Sequence, residues 1–407
     1  MSILSGKNVL LAITGGIAAY KSIFLLRLLV KSEANVQVLL TPNAKDFVTP
    51  LTLSTLSNRP VLSDFFDKNN QNKVWNNHVD LALWADLFII APATSNTISK
   101  MASAQADNLL LATYLSSKCP VYFAPAMDLD MHKNMANKNN INKLISFGNK
   151  HIPVNSGLLA SGLVGEGRMS EPNEIIDFIK NDLRRELKLF NKKILITAGP
   201  TYESIDAVRF IGNFSSGKMG YALAKVAIKL GADVTLISGP TSLSLNDDNV
   251  KVINVITADE MFSEVKKQCK SSDIIIMSAA VSDFKPKFIS TKKIKKENKN
   301  LLSIELVENI DILKYLGENK KNNQILVGFA LETDNEFINA KLKIKKKNLD
   351  VIILNSLNDK GAGFGFDTNK VTYINLNGSV KKFKLKIKEE VAKDIFDQIL
   401  NDFNEKI

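Results

Sequence analysis

Strand and helix segments alternate along 407 residues and begin their alternation twice, which predicts an α/β protein of two doubly wound, mostly parallel sheets. Three observations carry this expectation. First, residues 7–21 (KNVLLAITGGIAAYK) and 192–220 (KKILITAGPTYESIDAVRFIGNFSSGKMG) each pass from an apolar run through small-residue turns into a helical pattern. A buried parallel strand followed by a Gly/Ser/Thr turn leaves backbone N–H groups pointing out of the next helix, where a phosphate can sit. Second, the alternation continues through both halves. Third, the charged helix end at 180–193 (KNDLRRELKLFNKK) reads as a junction, dividing the chain into residues 1–190 and 191–407.

In the first half, strands fit 8–14, 35–41, 87–93 and 120–126, and helices fit 17–32, 44–57, 95–116 and 173–189. The last helix carries Ile175, Ile176, Ile179 and Leu183 at helical spacing. The polar stretch 67–80 breaks the rhythm and reads as a long loop. In the second half, strands fit 193–197, 232–238, 273–280, 325–330 and 350–355, and helices fit 218–230, 258–270 and 334–347. Residues 371–385 close the series as a small β-hairpin turning at Asn377-Gly378. An amphipathic helix follows at about 388–403, and the lysine-rich 285–300 stretch, poor in apolar anchors, reads as a mobile flap.

Composition narrows the classes. Each half is long enough to bury its own core. Two cysteines in unrelated contexts, Cys119 and Cys269, exclude a disulfide framework or a zinc ribbon and fit a reducing cytoplasm. The N-terminal apolar stretch holds Gly15, Gly16 and Lys21, so it reads as strand, turn and helix and not as a signal peptide. Arg27 and Lys31 interrupt the most hydrophobic helix, and no run approaches membrane-spanning length. The net charge of +11 concentrates at Lys285, Lys287, Lys292, Lys293, Lys295, Lys296 and Lys299, and at Lys341, Lys343, Lys345, Lys346 and Lys347. Neither cluster has the interleaved aromatics of a base-stacking platform, which argues against a nucleic-acid partner. A solvated lysine face and a pocket for small polyanions both remain.

Histidine is scarce, at His78, His132 and His151, and no two have metal-ligand spacing. The dinucleotide fingerprint GxGxxG is absent. The segments TGGIAAYK (14–21), HVDL (78–81), APATSNTISKMASAQADNLL (91–110), APAMDLDMH (124–132) and SGLLASGLVGEGRM (156–169) follow in order. Together they resemble the flavin-dependent cysteine decarboxylase family over residues 5–175. The resemblance implies FMN, its phosphate held by Gly15, Gly16, Thr41, Ser95, Asn96 and Thr97, with His78 as base and Met127, Asp128 and Met131 shaping the substrate site. Direct loss of CO₂ from a cysteinyl group leaves an unstabilised carbanion; oxidising the thiol to a thioaldehyde first provides an electron sink. Two positions depart from the family pattern. Asp128 stands where an asparagine is usual, and an ionised aspartate cannot donate to a substrate carboxylate. Ser161 stands where a proton-donating cysteine is usual, and either it or a water it holds must replace that thiol.

GNFSSGKM (212–219) matches GxxxxGK[ST] except at Met219, which cannot bind magnesium as a hydroxyl would. The strand before it also ends well upstream, so this is a false P-loop whose glycines still offer N–H groups to an anion. The longer string from Ile196 to Ala224, with SAAVSDFKPK (278–287), KIKK (293–296), ENIDIL (308–313), LVGFALET (326–333) and KLKIKKKNLDVIILN (341–355), resembles the phosphopantothenate–cysteine ligase family. That resemblance implies an acyl-nucleotidylate, whose crowded negative charge calls for lysines and a metal ion. It assigns Lys293 to the triphosphate, Ala279, Asp283, Asp311 and Phe329 to the base and ribose, and Lys343, Lys347, Ile310, Ile312 and Leu313 to the nucleotide without a finer placement. Asn213 would stabilise the acyl-nucleotidylate, with Arg209 and Lys218 near the substrate phosphate.

Taken together, the resemblances imply two consecutive steps of coenzyme A biosynthesis: 4′-phosphopantothenate, cysteine and CTP with Mg²⁺ in the C-terminal half, then decarboxylation in the N-terminal half. No residue independently selects CTP over ATP. By analogy the chain forms a homo-oligomer, without a nucleic-acid or membrane partner. A ligase carrying a weakened, regulatory flavoprotein half is the alternative raised by Asp128 and Ser161, and a basic nucleic-acid-binding protein is a remoter one raised by the net charge.

Overall fold

The computed structural model describes residues 2–66, 75–295, 303–332, 334–356, 359, 361–363 and 365–405. The chain forms two compact units, Met1–Leu183 and Arg184–Ile407, against an expected division at 190/191. Residues 184–190 belong to the second unit's packing: Leu189 is buried in its core and its N–H donates to the Leu230 carbonyl at 2.8 Å.

In the first unit, strands β1 (Asn8–Ile13), β2 (Asn35–Leu40), β3 (Leu87–Ala93), β4 (Val121–Pro125) and β5 (Lys150–His151) form one parallel sheet in the order β2-β1-β3-β4-β5. These strands are apolar on both faces because helices cover both sides of the sheet. Helix α1 (Ala19–Lys31) packs Leu25, Leu26 and Leu29 on one face, with the core of α8 (Pro172–Arg185) in the same cluster through Ile175, Ile176 and Ile179. The segment expected as one helix at 44–57 is a 3₁₀ turn, Pro42–Asp46, then α2 (Pro50–Ser57). Pro50 disfavours helical geometry at Thr49, whose hydroxyl instead caps α2 by accepting from Thr52 N at 3.2 Å.

The segment expected as one helix at 95–116 is likewise two, α4 (Ser95–Ala102) and α5 (Leu109–Ser116). Ala104 takes a left-handed φ of 56° between them, and Asn108 restarts the helix by accepting from Leu111 N at 3.0 Å. The expected loop at 67–80 is partly outside the described residues, and its end is helical: Asn77 caps α3 (His78–Trp84). Helices α6 (Leu129–Lys133) and α7 (Met135–Ser146) follow β4, and an antiparallel hairpin, β6 (Asn155–Leu158) and β7 (Val164–Arg168), precedes α8.

The second unit opens with β8 (Lys193–Ala198), a hairpin of β9 (Tyr202–Ser204) and β10 (Phe210–Gly212), and α9 (Lys218–Lys229). Then come β11 (Asp233–Ser238), β12 (Val250–Asn254), α10 (Ala258–Gln268), β13 (Ile274–Met277), β14 (Phe284–Pro286), β15 (Leu306–Glu308), α11 (Ile312–Asn319), β16 (Ile325–Glu332), α12 (Glu336–Lys346) and β17 (Val351–Ser356). The chain ends with β18 (Thr368–Asn369), β19 (Val371–Asn375), β20 (Val380–Lys382), β21 (Lys386–Ile387) and α13 (Lys388–Asp402). Eight strands form one sheet, β12-β11-β8-β13-β16-β17-β19-β20, parallel as far as β17 and antiparallel from there. The hairpin turning at Asn377-Gly378 is therefore the sheet's edge.

The expected flap at 285–300 begins as a strand. Lys285 lies in β14, which pairs with β15, and Lys285 and Lys287 bind Asp259 and Glu305 at 2.5 and 2.6 Å. Lys296, Lys299 and Thr333 lie outside the described residues.

Candidate active sites

Both sheets reverse strand order beside their first strand, β1/β3 in one unit and β8/β13 in the other, and ligands of open α/β sheets sit at the carboxyl ends of such strands. Each unit has a cavity there. In the first it measures about 980 Å³ and is lined by Gly15, Gly16, Thr41, Ser95, Asn96 and Thr97, with Met127, Asp128, Met131 and Ser161 among the other lining residues. The wall is dense. A Cβ on Gly15 would stand 3.0 Å from the Asn43 carbonyl, and one on Gly16 would stand 3.2 Å from the Thr94 methyl, so the turn after β1 accepts only glycine's bulk. The Thr14 hydroxyl donates to Pro92 O at 2.7 Å and accepts from Thr94 N at 3.2 Å, which fixes the turns after β1 and β3 to each other. Ser95, Asn96 and Thr97 form the first turn of α4, whose N–H groups open towards the cavity. Small hydroxyls, a glycine turn and a helix start make a donor set suited to a phosphate-bearing cofactor.

Over this cavity the β6–β7 hairpin docks against the α6 segment. Met127 N donates to Gly167 O at 3.0 Å; Gly167 has φ of +135°, and a Cβ there would meet Met127 O at 2.3 Å. Ser161, between the two strands, donates its hydroxyl to Asp128 Oδ1 at 3.0 Å, and the same oxygen accepts from Leu129 N at 2.7 Å. Below, the buried Lys21 ammonium donates to Met169 O and Glu171 Oε1, both at 2.8 Å. Its hydrogen bond holds the Glu171 carboxyl below the usual glutamate range.

The second unit's cavity, about 710 Å³, is lined by Asn213, Lys218, Ala279, Asp283, Ile310, Asp311, Ile312, Leu313, Phe329, Lys343 and Lys347. Gly217 caps α9 at φ 76°, and a Cβ on Gly220 would lie 2.5 Å from the Ala198 Cβ, so α9 reaches β8 closely enough to aim its N-terminus at the site. Met219 lines the cavity but brings no hydroxyl for a metal: its side chain packs on the core, and the Asn369 amide donates to its sulfur at 3.8 Å. With the β9–β10 hairpin between β8 and the GNFSSGK turn, the P-loop reading is excluded. Asn213 donates to the Ala280 and Val281 carbonyls at 3.0 and 3.2 Å. Burial pushes the Asp311 carboxyl up, but the Lys314 amide and the Lys347 ammonium outweigh it and hold it below the usual range. Lys343 is carried by Glu332 at 2.5 Å.

Three expected residues lie outside these cavities. His78, at the start of α3, does not line the first; its ring meets Phe65 and Trp75 edge-on at 6.2 and 6.0 Å, and its Nδ1 is buried without a hydrogen-bond partner. Arg209 is spent on Asp206 at 3.1 Å beside the β9–β10 hairpin, and Lys293 is exposed just before undescribed residues. Several lining residues carried no expectation, among them Lys21 and Arg168 in the first cavity and Asn355, Asn369 and Lys388 in the second. Lys388, the first residue of α13, is buried and donates to Gly363 O at 3.2 Å and to Phe366 O. Burial pushes its ammonium below the usual lysine range. A cation at a helix N-terminus opposes the helix dipole, and that conflict was its signal in the sequence.

A two-unit α/β protein with a cavity walled by glycines and small hydroxyls in one unit and a lysine-lined cavity in the other is thus defined by geometry. The flavoprotein family model matches residues 2–184, and the model of the DNA/pantothenate metabolism flavoprotein C-terminal domain matches residues 189–403. The chain is 44% identical over 398 residues to the coenzyme A biosynthesis bifunctional protein CoaBC of Bacillus subtilis (strain 168), covering 97% of each chain. It is 52% identical over 357 residues, 87% of this chain and 99% of the other, to a cysteine/cysteine sulfinic acid decarboxylase of an unknown prokaryotic organism. A crystal structure of the C-terminal domain of a coenzyme A biosynthesis bifunctional protein CoaBC superposes with TM-score 0.46 at 40% identity, over 54% of this chain and all of that one. The chain belongs to the coenzyme A biosynthesis bifunctional protein family. It is a bifunctional enzyme, a flavoprotein decarboxylase unit followed by a ligase unit.

Proposed function

We propose that the C-terminal unit joins cysteine to 4′-phosphopantothenate through an acyl-cytidylate, using CTP and Mg²⁺, and that the N-terminal unit decarboxylates the product to 4′-phosphopantetheine with FMN. The observation that carries this reading is that each unit gathers most of its expected residues, all but His78 in one and Arg209 and Lys293 in the other, into one cavity at the switch point of its sheet. Gly15, Gly16, Thr41, Ser95, Asn96 and Thr97 fit the FMN phosphate; the flavin supplies reversible two-electron chemistry at the cysteinyl thiol. Met127 and Met131 bound the substrate space. In the ligase unit, Lys218, Lys343 and Lys347 offset phosphate charge, Asp283, Asp311 and Phe329 bound the nucleoside, and Asn213 orients the activated acyl group.

His78 acts as base in a homo-oligomer, entering the cavity of a neighbouring copy. Two facts support this: His78 does not line its own cavity, and Ile17, Tyr20 and Phe24 leave an apolar stripe exposed on the α1 side of that cavity. Among the described residues no helix is long and apolar enough to cross a membrane, and both cysteines are free, which supports a cytoplasmic site of action.

The test is incubation of the purified, yellow protein with 4′-phosphopantothenate, cysteine, Mg²⁺ and either CTP or ATP, followed by mass analysis. The expected product is 4′-phosphopantetheine with CTP. A parallel arm with free cysteine addresses the name of the 52%-identical relative. CO₂ from free cysteine at a higher kcat/KM than from 4′-phosphopantothenoylcysteine would overturn the proposed order of steps.

A further inference from the structure

The two residues that set the decarboxylase unit apart touch each other. Ser161 donates to Asp128 Oδ1 at 3.0 Å, and both line the flavin-side cavity. The cations lining that cavity are committed elsewhere: Lys21 and Arg168 to Glu171, each at 2.8 Å, and Lys100 to Asp107. Among the described residues no ion pair engages Asp128, so the Asp128 carboxylate faces substrate with a hydroxyl and a backbone amide as its partners.

We propose that Asp128, acting through Ser161, is the acid that completes reduction in the decarboxylase unit, an inference that rests on the decarboxylation reading above. A cysteinyl substrate brings its own carboxylate beside Asp128. Two carboxylates sharing one site do not both stay ionised; a proton is held between them. Asp128 thus takes up a proton from solvent as substrate binds, and its O–H meets the substrate carboxylate where an amide would. When the bond to CO₂ breaks at the thioaldehyde stage, its electron pair forms the carbon–carbon double bond, the carbon–sulfur π pair moves to sulfur to give an enethiolate, and CO₂ leaves neutral, so the carboxylate charge beside Asp128 is gone. Nothing then holds the proton on Asp128. Reduction of the double bond consumes one hydride and one proton. The hydride is the reduced flavin's contribution. The proton passes from Ser161 Oγ to carbon as Asp128 re-protonates Ser161, and Asp128 returns to carboxylate. A serine hydroxyl alone is too weak an acid for this step, whereas a carboxylic acid is stronger than the usual thiol by roughly 4–5 pKa units.

The experiment uses full-length, flavin-loaded protein and the variants Asp128→Asn, Ser161→Ala and Asp128→Asn/Ser161→Cys. In the first arm, 4′-phosphopantothenoylalanine, which has the carboxylate and no thiol, is bound in weakly buffered solution. Wild type should take up about one proton per site and Asp128→Asn none. In the second arm, anaerobic turnover of 4′-phosphopantothenoylcysteine is followed by CO₂ release and product mass. Wild type should give the saturated thiol. Asp128→Asn and Ser161→Ala should release CO₂ yet leave the enethiol, two hydrogens lighter, with the flavin's visible colour lost and the reduced fraction down at least tenfold. The double variant should recover the saturated product, because its thiol donates directly. Saturated product from Asp128→Asn in wild-type proportion, or equal proton uptake by both proteins, overturns the proposal. CO₂ failing to appear from wild type overturns the decarboxylase reading instead.

Discussion

Lys388 and Asp311 show how far a single side chain can be read before the fold is known. Lys388→Met removes the donor from the Gly363 and Phe366 carbonyls, at a cost of about 1–3 kcal/mol. Unfolding of the ligase unit should then begin several degrees lower by calorimetry, with ligase kcat/KM reduced and CO₂ release unchanged. An unchanged midpoint would show that those carbonyls find water instead. Asp311→Asn keeps the cap on α11 but removes the charge facing Lys347. The folded carboxyl lies below its unfolded value, so its contribution is complete above about pH 4 and fades as pH falls through the folded value. Urea midpoints of wild type and variant should therefore differ by a constant amount at neutral pH and converge in acid; divergence in acid would refute the assignment. That Gly15, Gly16, Thr41 and Ser95–Thr97 line one cavity was legible because glycine and small hydroxyls in a βα turn have few other reasons to coincide. Lys388 left only its conflict with the helix dipole as a signal, since its carbonyl partners come from a loop whose path no local pattern specifies. The Ser161–Asp128 contact was hidden for the same reason: the two residues lie 33 positions apart and meet only because a hairpin docks through the Gly167 backbone.

Among the elements, the parallel strands and their helices could be read because burial on both faces leaves an uninterrupted apolar run. Interruptions were harder. Pro50 marked its break in plain view, but Ala104 reverses the chain with no such residue, held by the Asn108 cap that follows. The short hairpins β9–β10 and β14–β15 carry too few residues for a period of two to stand out. Gly220 is where an element's position becomes function. Its missing side chain lets α9 close on β8, and Gly220→Ala forces a Cβ to 2.5 Å from Ala198 and 2.9 Å from Ser278 Oγ. Overpacking of this kind costs about 1–3 kcal/mol and moves the N-terminal turn. The ligase KM for nucleotide should rise several-fold while bound flavin, read by absorbance, stays at wild-type content. Loss of flavin in this variant would mean that the two units do not fold independently.

At the scale of the whole chain, each cavity draws its lining from one unit alone, residues 15–169 for the first and 213–388 for the second. The ligase product therefore leaves one cavity before it enters the other. Linked sites gain an effective concentration set by their tether, which matters only while free intermediate is scarce. This makes a definite prediction for a mixture of two crippled chains. One carries Asn213→Ala with Lys347→Ala to silence ligation, and the other carries Gly15→Val to exclude flavin. Together, with 4′-phosphopantothenate, cysteine and CTP, they should form 4′-phosphopantetheine after a lag, because released 4′-phosphopantothenoylcysteine has to build up. The steady rate should then approach that of wild type at equal site concentration, read by mass analysis of timed samples. Wild type should show little or no lag, since its tether keeps the intermediate near an active decarboxylase. If the mixture stays silent while each variant performs its remaining half-reaction, the intermediate passes only within one assembly, and free diffusion between the two cavities is wrong.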